Sequence, residues 1–290
     1  MRLPLRLVRA LVFLIARPLG PPTPVRLQRL WLELISTGGL LPKGTTVEHV
    51  TVAGRSAERV VPAGSDESRA VLLLHGGAFL IGSPRTHRVL AGHLAAAVGV
   101  PVVALHYRRA PERPWPAAVD DAVAAYRELS ARGPTAVFGD SAGGCLALLM
   151  ALRLRDAGES LPPALALVSP VTDLTLERSS AFRGVDTVVR RRWLRDGVTS
   201  FVGAADPQEL SPLTATLAGL PPVLLQVAGR ERLRVEGEQL AQRLQADRVE
   251  VELEVLEPLW HDAHMVAHLL PEGADAVRRA GRWLADRLAS

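Results

Sequence analysis

The feature that most restricts what this chain can fold into is the recurrence of short runs that are apolar at nearly every position. VLLL at 71–74, VVAL at 102–105, ALALV at 164–168 and VLLQV at 223–227 alternate with longer stretches of helical periodicity. A strand exposed on one face alternates apolar with polar residues, whereas these runs suit strands covered on both faces, as in a mostly parallel sheet with helices on either side. The class expected is α/β. Eight strands are read at Val47–Val52, Ala57–Val61, Ala70–Leu74, Pro101–Leu105, Thr135–Phe138, Ala164–Val168, Val223–Val227 and Val249–Leu256. The last alternates valine and leucine with Glu250, Glu252 and Glu254, which places it near a sheet edge with one side to water. Helices are expected over Thr86–Val98, Ala117–Ala131, Ser141–Asp156, Val235–Gln245 and Gly273–Leu288.

At 290 residues, 48% hydrophobic and 22% charged, the chain is long enough for a large core and too balanced for disorder. Its single cysteine, Cys145, excludes an internal disulfide framework and a multi-cysteine metal site, and reads as a small core residue. A net charge of +4, with arginines scattered among nearly as many acids and Lys43 the lone lysine, makes no nucleic-acid stripe. The longest strongly apolar run, Ala10–Ala16, is far shorter than a membrane span.

Three readings compete for the opening MRLPLRLVRALVFLIARPLG: a secretory signal, an amphipathic helix lying on lipid, and a helix packed on the body of the protein. Arg17 and Pro18 follow the apolar run at once, which argues against the signal, and the packed helix is preferred over the lipid-lying one. Pro18, Pro21, Pro22 and Pro24 end that segment before a second helix at Val25–Ser36. Residues 1–45 are therefore read as a helical cap segment and residues 46–290 as the main α/β domain, with a cap insertion at about 174–212 where no buried strand occurs. The compartment expected is cytoplasmic, with peripheral membrane attachment as the alternative.

Chemistry is concentrated in a few places. Gly139-Asp140-Ser141-Ala142-Gly143 fits G-x-S-x-G and lies between the strand TAVF and a helix, where a sharp turn would lift the Ser141 hydroxyl above the sheet. His75-Gly76-Gly77-Ala78-Phe79 directly follows the buried strand AVLLL, as does the loop that presents backbone N–H groups to an oxyanion in lipases and esterases. On these motifs, with Tyr107-Arg108-Arg109-Ala110-Pro111-Glu112, Ser169-Pro170-Val171-Thr172-Asp173-Leu174 and Ser211-Pro212-Leu213 in order, the chain resembles the hormone-sensitive-lipase-like carboxylesterases of the α/β-hydrolase fold.

The resemblance runs from about Ala70 to His261. It implies an eight-stranded sheet with a small helical cap, Ser141 as nucleophile, and an oxyanion hole from Gly77, Ala78 and Ala142, with Gly76 shaping the loop. The family usually has a third glycine where this chain has Ala78. The triad acid is expected after the next-to-last strand, where the family's D-P-L-x-D-E-G becomes Glu231-Arg232-Leu233-Arg234-Val235-Glu236-Gly237. Glu231 takes the acid's place, with Glu236 and Asp262 as rivals and a surface ion pair with Arg230 or Arg234 as the bland alternative. His261, after the last strand, aligns with the general base, and His264 is its local competitor. His49, His87, His93 and His106 are read as structural. Metal binding by His261, His264 and His268 with Asp262 is a minor alternative, since no HExxH-type base accompanies them.

The activity implied is cofactor-independent hydrolysis of short to medium acyl esters through an acyl-enzyme. A catalytically silent ligand-binding protein on the same scaffold and an amidase or lactonase using the same triad are the alternatives. The partners expected are a small ester substrate, a lipid surface at the N-terminal segment, and a second copy of the chain.

Overall fold

A computed structural model describes residues 3–289. Its centre is an eight-stranded sheet in the order β1-β2-β4-β3-β5-β6-β7-β8. The strands are β1 (Thr46–Val52), β2 (Arg55–Val61), β3 (Ala70–Leu74), β4 (Val102–Leu105), β5 (Thr135–Asp140), β6 (Leu165–Val168), β7 (Val223–Ala228) and β8 (Val251–Leu256). Strands β1 and β2 form a hairpin, β2 pairs antiparallel with β4, and all pairings from β4 through β8 are parallel.

The helices are α1 (Leu5–Ile15), α2 (Val25–Ile35), α3 (Pro84–Val98), α4 (Ala117–Ser130), α5 (Ala142–Asp156), α6 (Glu177–Ser180), α7 (Arg191–Val202), α8 (Pro207–Leu210), α9 (Arg234–Ala246) and α10 (Pro271–Ala289). The period-two geometry of β3 explains why its sequence is uniformly apolar. Val71 and Leu73 join a cluster with Leu90 and Leu94 of α3 and Val277 and Leu284 of α10. Leu72 and Leu74 point the other way, into a cluster with Val119 of α4, Leu146 of α5 and Leu240 of α9. Each fully buried leucine contributes about 2 kcal/mol relative to exposure, so a polar residue on either side of this strand is strongly disfavoured.

Strand β8 is at the sheet edge, as its alternation implies, but its glutamate side is not simply open to water. Glu254 accepts hydrogen bonds from Arg279 of α10 at 3.0 Å and from the buried Gln226 of β7 at 2.7 Å, whereas Leu253 is 36% exposed. The carboxylate is recruited because α10 brings a guanidinium over that face, which period-two patterning alone does not register.

The N-terminal helices and the α6–α8 insertion meet over the C-terminal ends of the strands. Helix α1 is pinned by Val8 among Leu256, Leu259 and Trp260, and the Arg9 Nε donates to Thr187 Oγ1 of the insertion at 3.2 Å. Trp31 of α2 donates to the Ile15 carbonyl at 2.8 Å, tying the two helices together. Both helices attach by narrow strips: Leu7, Leu11 and Leu14 of α1 and Leu27, Leu30 and Leu34 of α2 are all exposed. From the insertion, α7 settles onto the loop after β3. Gly197 faces the backbone of Ala78 so closely that a side-chain carbon there would collide with it, and Phe201 stacks on Phe79 with ring centroids 4.1 Å apart.

Candidate active site

Three parallel strands deliver the site. Strand β5 runs into Ser141, whose φ of 51° and ψ of −115° mark a sharp turn before α5 begins. That turn needs glycine at 143, where a Cβ would run into the carbonyl oxygen of Leu74 at the end of β3. Glu231 lies in the loop after β7, and His261 follows β8. All three side chains are buried, with Ser141 6%, Glu231 1% and His261 2% exposed.

They touch in sequence. The Ser141 Oγ is 2.9 Å from His261 Nε2, and His261 Nδ1 is 2.6 Å from Glu231 Oε2. The other Glu231 oxygen accepts the Ser169 hydroxyl at 2.9 Å and the Ala228 N–H at 2.7 Å. Glu231 is thus a fully engaged buried carboxylate and not a surface partner of the neighbouring arginines; Arg234 pairs instead with Glu238 and Glu257.

The rivals turn elsewhere. Glu236 is buried and accepts the backbone N–H groups of Thr172 and Asp173, each at 2.7 Å, so it fastens the loop after β6. Burial pushes its carboxyl up to about 8, against the pull of those donors. Asp262 places Oδ2 3.1 Å from His261 Nε2, on the serine side of the ring and away from Glu231. His264 Nε2 is 2.8 Å from the Gln226 amide oxygen, and burial lowers its ring to about 4. Among the described residues no group of three or more His, Cys, Asp or Glu side chains is arranged to hold a metal ion.

Burial by itself would favour a neutral His261, but Asp262 and then Glu231 outweigh it and hold the imidazole well above its ordinary value. Cys145, behind the nucleophile in α5, has its thiol pushed up by burial and by Glu236, which keeps it protonated and unreactive.

The loop after β3 carries Gly77 at φ 118°, Ala78 at φ 53° and Phe79 at φ 63°. For alanine and phenylalanine the left-handed region costs about 1–2 kcal/mol per residue. The covering α7 offsets this, since Gly197 admits the Ala78 backbone and Phe201 covers Phe79. Gly76 differs from its neighbours because its N–H already donates to Asp140 Oδ2 at 3.0 Å, leaving Gly77 and Ala78 as the loop's candidate donors.

Sequence reading missed this support. Asp140, the second residue of the G-x-S-x-G turn, also faces His87 Nε2 of α3 at 3.2 Å. Burial opposes a charge on His87, yet Asp140 raises the imidazole above its usual value. Tyr107 donates its hydroxyl to the His75 carbonyl at 2.6 Å and stacks on the His75 ring. The Y-R-R-A-P-E motif contains Tyr107, but nothing local in the sequence marks His87 as its neighbour.

Comparison with known proteins identifies the family. Residues 71–265 match the family model described as the alpha/beta hydrolase fold. The chain belongs to the α/β-hydrolase fold family. Within this α/β-hydrolase family it is similar to an acetyl-hydrolase of Streptomyces hygroscopicus, 40% identical over 81% of this chain and 81% of the relative. It is also similar to a solved hormone-sensitive lipase from a metagenome library, with a TM-score of 0.93 and 30% identity over 99% of each chain. A solved esterase of the bacterial hormone-sensitive lipase family superposes with a TM-score of 0.90 and 36% identity over 98% of each chain. The chain is a hormone-sensitive-lipase-like α/β-hydrolase.

Proposed function

We propose that this α/β-hydrolase is a serine carboxylesterase that cleaves short to medium acyl esters through Ser141, His261 and Glu231. The class is that of carboxylester hydrolases, as its relatives indicate; the residue roles rest on the unbroken contact from the Ser141 hydroxyl through the His261 ring to the Glu231 carboxylate. His261 Nε2 takes the Ser141 proton as Oγ attacks the ester carbonyl, while Glu231 keeps the other ring proton on Nδ1 and stabilises the imidazolium. The N–H groups of Gly77, Ala78 and Ala142 receive the oxyanion. The proton then passes from Nε2 to the departing alkoxide, and water repeats the sequence on the acyl-enzyme.

Similarity to an acetyl-hydrolase, 40% identical, supports short chains. Assays of p-nitrophenyl acetate, butyrate, octanoate and palmitate, with p-nitroanilides as matched amides, test the substrate class. The expected result is a kcat/KM that peaks at acetate or butyrate and collapses at palmitate, with the anilides nearly inert. Preference for palmitate overturns the chain-length reading, and comparable anilide hydrolysis overturns the ester reading.

The N-terminal helices support lipid contact as part of the same reading. Leu7, Leu11 and Leu14 share one face of α1, Leu27, Leu30 and Leu34 share one face of α2, and all are 45–66% exposed. Residues 1–32 contain arginines at 2, 6, 9, 17, 26 and 29 and no acidic residue. Exposed leucines on a segment that also exposes Arg6, Arg17 and Arg26 suit an anionic bilayer, each basic residue near the surface adding about 1 kcal/mol. The described residues contain no helix long and apolar enough to cross a membrane. Co-sedimentation with phosphatidylglycerol vesicles, but not with phosphatidylcholine vesicles, is expected, and Leu11→Ser with Leu30→Ser should weaken it. No sedimentation, combined with a leucine-dependent dimer in light scattering, would assign this face to a second copy of the chain.

A further inference from the structure

The ring of His261 has a carboxylate at each nitrogen, and only the one at Nδ1 belongs to a serine triad. Asp262 has a φ of 53°, in the left-handed region, and its side chain reaches back to the ring of the preceding residue. Its Oδ2 lies 3.1 Å from Nε2, the same nitrogen that stands 2.9 Å from Ser141 Oγ. Its Oδ1 is buried with no hydrogen-bond partner among the described residues, and the side chain as a whole is only 16% exposed.

One nitrogen therefore faces two oxygens with incompatible demands. For Ser141 to be activated, the ring proton must be on Nδ1, toward Glu231, and Nε2 must offer a lone pair to the serine O–H. An ionised Asp262 beside that lone pair repels it. The couple lowers its energy by keeping one more proton between Nε2 and Oδ2, as a hydrogen bond from either atom to the other. With that proton in place, Nε2 cannot accept one from Ser141.

The surroundings favour retention of the proton. Burial is the main force that opposes a charge on Asp262, and the negative charges of Asp140 at the end of β5 and Glu231 after β7 add to it. His87 of α3 is drawn toward its charged form by Asp140, its hydrogen-bonded partner, and more weakly by Asp262. His261 itself is the cation that pulls the other way.

We propose that Asp262 is a positioning residue that holds a proton at Nε2 of His261, so that Ser141 becomes nucleophilic only after the Asp262–His261 couple has released it into solution as the pH rises. This inference rests on the reading of His261 as general base. In the active state the ionised Asp262 also makes Nε2 a stronger base, since it favours the imidazolium that forms when the serine proton arrives. The proton taken from Ser141 is then delivered to the leaving alkoxide, so no net proton remains on the ring after turnover. Sensitivity at low pH and strength as a base thus come from the same contact.

The test is the pH profile of kcat/KM for p-nitrophenyl butyrate in the wild type, Asp262→Asn and Asp262→Gly, two replacements that tolerate the left-handed backbone. Loss of the carboxylate should move the acid limb down by about one to two pH units. Activity below the wild-type midpoint then rises, while the alkaline limit falls because Nε2 is a weaker base. A uniform loss at every pH, with the limb unmoved, is what a merely structural Asp262 would give and overturns the inference. The wild-type protein supplies a second readout in the low-field Nδ1–H proton resonance of His261. It should titrate together with the acid limb, and a midpoint at the ordinary imidazole value of about 6.5 overturns the inference without any variant. His261→Ala separates the two readings. If that variant remains active, the general-base reading fails; if it is inactive while the Asp262 variants keep the wild-type limb, only the Asp262 inference fails.

Discussion

Ser141→Ala is expected to lower kcat on short esters by about a million-fold, the scale of loss when a triad nucleophile is removed, and to abolish covalent labelling by a fluorophosphonate. The substitution deletes one oxygen and keeps the Cβ, so the turn at φ 51° and the start of α5 are left as they are. The nearest thiol in the chain, Cys145, is fully buried in α5, and its burial holds it in the protonated form. The measurement is intact-mass analysis after labelling, followed by peptide mapping. A variant that still takes up one equivalent of label would remove Ser141 from the mechanism, whatever its distance from His261.

Glu231→Gln should cost about ten-thousand-fold in kcat, through the tautomer of the base and not through loss of charge alone. Glu231 uses both oxygens as acceptors: Oε2 for His261 Nδ1, and Oε1 for the Ser169 hydroxyl and the Ala228 N–H. Glutamine offers one oxygen and one NH2. If the oxygen stays with Ser169 and Ala228, the NH2 faces Nδ1 and drives the ring proton onto Nε2, where it blocks Ser141. If the amide flips, its NH2 is pressed against the Ala228 N–H, an unpaired buried donor that costs about 1–3 kcal/mol of stability. Single-turnover kinetics with p-nitrophenyl acetate, beside a urea unfolding curve, distinguish the two arrangements. Near-normal turnover with unchanged stability, which neither arrangement allows, would transfer the acid's role away from position 231.

Glu231 also shows how far the residue pattern could lead. Proline and aspartate are both missing from the family's motif at this point, yet Leu233, Glu236 and Gly237 hold the register and put a carboxylate at 231. In the structure that carboxylate is the one beside Nδ1, while Glu236 fastens the loop of Thr172 and Asp173. The sheet was equally legible, because its central apolar runs are four to six residues long and bounded by turn residues, too short for buried helices, and the order of serine, acid and histidine follows from the order of β5, β7 and β8.

What sequence by itself determined were the properties carried by runs of adjacent residues: the α/β class, the strands, the two glycine-rich turns and the order of the reacting groups. These follow from local periodicity and from backbone conformations that only certain residues adopt. Only the tertiary structure decided which way the remaining polar side chains point. Asp262, a candidate acid by position, reaches Nε2 because its left-handed backbone turns the side chain toward the serine. Asp140 and His87, 53 residues apart, meet behind Gly76 because the first turn of α3, a helix packed over β2 and β4, reaches the end of β5. Gly197 accommodates the Ala78 backbone because the insertion folds over the strand ends. Such contacts depend on where distant elements are brought together by burial of their apolar faces, and neighbouring residues in the chain carry no record of that.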